Sequence, residues 1–256
     1  MRKVLTILLA GAIGALGAPA MAQNSGGVTS LPPPPPPTDN PHAGASFDAD
    51  YYSAKARASR VSFLGNEGEQ AHNWDNAAKF GACSVSMNPD RARQLLDQQR
   101  ADYTGKPLEL GKYLNRNQGC VTFRTALDRD FLRGGVAESL ILSQGTDFVI
   151  PPAGGAAEVG AFIKAVKAPG ASKDDPFSMG QFEAECRTAL APVGARALIA
   201  TTPGSTEEAQ ALSGWRAVTQ PCDGFSVEGT AMPVRFARAY AAQALYHWAA
   251  FARGKD

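Results

Sequence analysis

The chain predicts an all-α protein built as two tandem helical modules, an internal duplication in which each copy is stapled by one disulfide. Three observations carry that prediction. Cys83 and Cys120 are separated by 37 residues, and Cys186 and Cys222 by 36. An offset of 103 carries Cys83, Pro89, Arg93 and Leu95-Leu96 onto Cys186, Pro192, Arg196 and Leu198-Ile199. An offset of 102 then carries Leu110, Tyr113, Cys120 and Arg133 onto Leu212, Trp215, Cys222 and Arg235, so a single-residue indel between the two halves suffices. Finally, the apolar periodicity inside each copy is helical, and strand-like alternation is confined to Thr146–Ile150 and Gly119–Phe123.

Residues 1–22 carry a basic start (Arg2, Lys3), a short apolar run and Ala20-Met21-Ala22, the pattern of a cleaved secretory signal peptide. Glycines dilute the run, which is short for a bilayer span of about 20 residues. Residues 23–46 form a Pro/Gly-rich disordered tether, in which Pro32–Pro37 favour polyproline II, a spacer of roughly 19 Å at about 3.1 Å per residue. The first module is placed at 47–144, and its approach segment carries Tyr51, Tyr52, Val61, Phe63 and Leu64. Asn88-Pro89-Asp90 opens its second helix, and Leu132, Val136 and Leu140, with Ile141 and Leu142, mark its last. Residues 145–175 read as a linker with a short helix through Val159, Phe162, Ile163 and Val166.

The second module spans 176–256. Asp175 before Pro176 is an N-cap followed by proline at the first helical position. Ser205-Thr206-Glu207-Glu208 reads as a capping box, opening a helix that carries Leu212, Trp215 and Val218. The last helix runs from Pro233 to about Phe251, with Phe236, Tyr240, Ala244, Leu245 and Trp248 on one broad face.

Four cysteines in an exported chain read as disulfides, and four allow three pairings. If each copy folds as a unit, the pairs are Cys83–Cys120 and Cys186–Cys222. Each closure is then worth about 3–4 kcal/mol in the chain-entropy model. No metal site is predicted: there is no CxxC, and His42, His72 and His247 lack ligand spacing. Loss of the signal peptide takes Arg2 and Lys3 from a chain of formal charge +1, leaving −1. Nothing in that balance favours nucleic acid or an anionic membrane surface, and no later run is long enough to span a bilayer.

The chemical inventory yields no catalytic residue and no cofactor. G-x-S-x-G and H-E-x-x-H are missing, and Gly105 to Tyr113 fails as a phosphate loop in both spacing and its final residue. With the cysteines oxidised, no thiol nucleophile remains. His72 and His247 are candidate general bases, and Asp128, Asp130, Glu138, Glu183 and Glu185 are candidate acids with no pair singled out by spacing. The repeat-matched arginines Arg93, Arg133, Arg196 and Arg235 have two readings: internal pairing that fixes helices, or two pseudo-equivalent anion sites.

The order Cys, Pro, Ala-Arg-x-Leu-Leu, Cys and then Leu-Arg-Gly-x-x-Ala-Glu-x-Leu resembles uncharacterised exported proteins of alphaproteobacteria with a duplicated two-cysteine helical module. The first copy carries the last segment as Leu132 to Leu140; the second has Phe236 for the glycine and Tyr240 for the acid. The resemblance spans about residues 75–250 and implies a fold and a compartment, with no activity attached. The expectation is a periplasmic or secreted, non-enzymatic binding or scaffolding protein. Its partner would be an envelope protein or a small anionic ligand. The rival expectation is a carboxylate-dependent hydrolase of an envelope substrate.

Overall fold

Asparagine and aspartate side chains open several of the helices. Asn66 Oδ1 accepts from the Gly68 amide at 2.8 Å and opens α1, Glu67–Met87. Asn88 Oδ1 takes the Arg91 amide at 2.9 Å and opens α2, Pro89–Asp97. Such caps satisfy amides that have no partner within the first turn. The computed structural model describes residues 66–97, 108–122, 128–167, 172–226 and 232–254. The predicted signal peptide, the tether and the approach segment to residue 65 lie outside the described residues.

The chain continues through α3, Leu108–Arg116, and α4, Arg129–Ser143, whose amides at Asp130 and Phe131 are held by Asp128. The linker helix is α5, Ala156–Val166. Then come α6, Pro176–Leu190, α7, Pro192–Ala200, α8, Thr206–Ala217, and α9, Val234–Arg253. Short 3-10 turns lie at Gln118–Cys120, Gly145–Asp147 and Gln220–Phe225. Among the described residues the fold is all helix.

Three local expectations are corrected. Neither strand candidate forms a strand within the described residues. The Asp147 amide bonds back to Gln144 O and the Cys120 amide to Asn117 O, both at 2.9 Å, which curls these segments into 3-10 turns; Phe123 lies outside the described residues. The capping box is half formed. Ser205 Oγ accepts the Glu208 amide at 3.2 Å, but the Glu208 carboxylate passes Ser205 and takes the Gly204 amide at 2.7 Å. Val218 does not join the apolar face of α8; it ends that helix and is 70% exposed.

Packing repeats between the two halves. Trp74 meets Phe131 at 5.9 Å, and further along Gly81 lies against Gly135, so α1 and α4 run parallel. In the same way Phe177 packs on Phe236 at 5.8 Å and Gly180 lies on Tyr240, so α6 and α9 run parallel. The α1–α4 crossing depends on glycine: a Cβ on Gly81 would strike the Gly135 carbonyl, and one on Gly135 would strike that of Ala77. Gly134 faces the other way, where a Cβ would come within 2.6 Å of Ala239 Cβ on α9. Adjacent glycines thus let α4 approach a different helix on each side.

One apolar core draws on both halves of the described chain, from Trp74, Phe80 and Leu96 through Phe131 and Leu140 to Leu198, Trp215, Phe236 and Leu245. Beside it, Val159 and Phe162 of α5 pack with Cys186, Cys222 and Trp248. The linker helix therefore covers the second disulfide.

Candidate functional site

Both disulfides form as the repeat predicts. Cys83–Cys120 joins the last turn of α1 to the 3-10 turn after α3, with Cα atoms 5.6 Å apart. Cys186–Cys222 joins α6 to the turn after α8, with Cα atoms 5.7 Å apart.

The four matched arginines have different surroundings. Arg93 pairs with Asp90 one turn earlier at 2.6 Å, with both side chains well exposed, so the pair contributes little to stability. Arg133 Nη2 donates to Leu96 O at 3.4 Å. Arg235 Nη1 is 2.5 Å from Glu208 Oε2, and that carboxylate is buried. Arg196 is half-buried on α7; its charge acts on Glu138, and it makes no hydrogen bond or ion pair among the described residues.

The dominant polar feature is centred on an arginine the repeat does not mark. Arg238 of α9 is 1% exposed. Its Nε and Nη2 each lie 2.8 Å from one oxygen of Glu138 on α4, a two-pronged pairing between α9 and α4. Nη1 donates to Glu208 Oε1 and Thr201 Oγ1 at 3.1 Å and to Leu198 O at 3.3 Å. Nη2 also reaches Ile199 O at 2.8 Å and Thr201 O at 2.9 Å. These carbonyls end α7, where the helix leaves acceptors unpaired and where a positive charge is favoured. Burial pushes the Glu138 carboxyl above its ordinary range, against the hydrogen bond and charge of Arg238. Glu208 adds a further upward push and Arg196 a downward one.

A second buried arginine does the same for α8. Arg187 Nε lies 2.9 Å from Glu183 Oε1. Nη1 donates to Thr219 Oγ1 at 2.8 Å, Thr219 O at 3.1 Å and Arg216 O at 3.3 Å. Nη2 lies 2.5 Å from Asp223 Oδ1 in the 3-10 turn that carries Cys222. A third polar group gathers at Asp130, which accepts from Tyr240 OH at 3.0 Å, while Gln243 Nε2 donates to its carbonyl at 3.0 Å.

All five acids named as candidates are buried. Asp128 caps α4, Asp130 meets Tyr240, Glu138 meets Arg238 and Glu183 meets Arg187. Glu185 lies inside α6. His72 is exposed and bonds Asn76 one turn on at 3.1 Å. His247 Nε2 lies 3.0 Å from Leu96 O, so that nitrogen carries the proton. Next to it Tyr246 OH donates to Asp97 at 2.8 Å, and burial together with Asp97 pushes the phenol well above its ordinary range. The described residues include no group of three His, Cys, Asp or Glu that could hold a metal ion.

Arg187 and Arg238 were missed by sequence reasoning. The available signal was spacing: Glu183 and Arg187 are four apart on one helix face, and Arg235 and Arg238 are three apart in an alanine-rich helix.

Fold and site define an all-α protein with two disulfides whose buried charges join helices to one another. Among the described residues no helix is long and apolar enough to cross a membrane. No family model matches the chain, and no curated protein or solved structure shows significant similarity to it.

Proposed function

We propose that this chain is an exported bacterial envelope protein, periplasmic or secreted, that binds an anionic ligand or acidic partner and performs no catalysis. On this reading residues 1–22 are a signal peptide, the proline run is a spacer, and the two disulfide-stapled halves arose by duplication. The matched parallel pairs α1–α4 and α6–α9 support duplication. The fate of the buried acids supports a binding role, because carboxylates enclosed with arginines and helix ends brace a fold and do not face a substrate.

The observation that carries the reading is Arg196. Of the four matched arginines, it alone is half-buried without a hydrogen-bonded partner among the described residues. A guanidinium held on a rigid helix offers paired donors to a carboxylate or phosphate. Arg235, by contrast, is occupied by Glu208.

The test is native mass spectrometry of the mature protein purified from its own envelope fraction. The wild type should carry a reproducible adduct or partner, and Arg196→Gln should lose it with Tm unchanged. Arg235→Gln should keep it and lose about 1–3 kcal/mol of stability, the cost of leaving a buried acceptor short of a donor. A bare wild-type protein, or an adduct indifferent to Arg196→Gln, would overturn the proposal. So would hydrolysis of an envelope polymer that His247→Ala abolishes in a folded protein.

A further inference from the structure

The two disulfides look alike in sequence but occupy different surroundings. Cys186 and Cys222 are both buried, beneath Val159 and Phe162 of α5 and beside Trp248. Their two segments are also joined without the bridge, because Arg187 on α6 holds Arg216 O, Thr219 and Asp223. The first bridge has one half-buried end, Cys83, while Cys120 is buried with its Sγ 3.4 Å from Met87 Sδ. Met87 itself is 60% exposed, so the contact between the two sulfurs is only partly buried. The position matching Arg187 is Ser84, whose short hydroxyl donates to Gly81 O within its own helix at 3.2 Å and touches α3 through the Tyr113 phenol alone, where Arg187 makes four bonds. Among the described residues, α3 is also seated by Leu110, Tyr113 and Leu114, with Tyr113 edge-on to Phe80 at 5.9 Å.

From this asymmetry we infer that Cys83–Cys120 is a site of thiol–disulfide exchange with a dithiol reductant, and that its reduction releases α3 while the second module keeps its form. A thiolate of the reductant attacks Cys83 Sγ. A new S–S bond forms there, the protein S–S bond breaks, and Cys120 leaves as thiolate and takes a proton from water. The second thiolate of the reductant then attacks its own sulfur in the mixed disulfide and expels Cys83 as thiolate, which is protonated in turn. Two electrons pass to the protein, and the reductant becomes a disulfide. Access for the attacking thiolate governs the rate of such exchange, and the half-buried end provides it. Reduction then removes the cross-link that holds the turn after α3 to α1, whereas the second module retains the Arg187 bonds and the α5 cover. The device uses residues other than Arg196 and does not depend on the binding role.

The experiment treats the mature, fully oxidised protein with graded dithiothreitol, alkylates it at intervals and maps the labelled peptides by mass spectrometry. Cys83 and Cys120 should label at least about tenfold faster than Cys186 and Cys222, as expected where access controls attack. Hydrogen exchange on the partly reduced protein should quicken in 108–116 and stay unchanged in 176–190 and 234–253. Equal labelling of both bridges, earlier labelling of the second, or loss of protection across the whole chain on first reduction would each overturn the proposal.

Discussion

Arg238 brings five N–H donors into a site almost closed to water, where each must find an acceptor or cost free energy. Glu138, Glu208, Thr201 and the last carbonyls of α7 supply the acceptors. For Glu138 the balance is different, since burial raises its pKa more than Arg238 lowers it. A carboxyl whose folded pKa exceeds its unfolded value binds protons more tightly in the folded state. Over the interval from the ordinary 4.5 to the raised folded value, its contribution to stability therefore falls as pH rises. Below that interval the contribution is fully present, and above it the contribution is lost. The difference in unfolding free energy between the wild type and Glu138→Gln, taken from urea melts across this range, should decline as pH rises. A difference that grows with pH would mean that the arginine outweighs burial. This site was only half legible in the sequence: Glu138 stood out within its motif, but its partner lies 100 residues away and nothing local connects them.

Helices and their caps were far easier to read. Asn88, Asp175 and Ser205 act within a few residues of where they stand, so local chemistry decides them. The disulfide pairs were legible because matched residues surround Cys83 and Cys186, and Cys120 and Cys222, which singles out one of three pairings. The close crossing of α1 and α4 was not, because it arises from two glycines on different helices, neither of which is needed for a turn. That crossing makes its own prediction. Gly135→Ala places a methyl group against the Ala77 carbonyl, which is backbone and cannot rotate aside. The helices must separate, and the loss should be about 1–3 kcal/mol, the usual penalty for overpacking. Gly160→Ala is the control: its Cβ would meet nothing, and its effect should be neutral or slightly stabilising. Thermal melts of the two variants decide the matter, and equal melting temperatures would refute the close-packing account.

At the scale of the whole molecule, the two halves share one core and one buried ionic bridge. Phe131 of the first half lies 4.4 Å from Phe236 of the second, and Glu138 and Arg238 join α4 to α9 nearby. Units that share apolar packing to this extent lose it together, because opening one exposes the face of the other. Arg238→Ala probes that coupling from the polar side. It leaves Glu138 without its two-pronged partner, strips one of two arginines from Glu208 and uncovers the end of α7. Breaking a buried pair in this way costs about 3–5 kcal/mol. The loss should appear equally in both halves. Native-state hydrogen exchange in the variant should show the most protected amides of α1 and α4 falling by the same factor as those of α6 and α9. Protection lost from the second half alone, or a denaturant melt split into two transitions, would mean that the modules fold independently and that the Glu138–Arg238 bridge only joins finished parts.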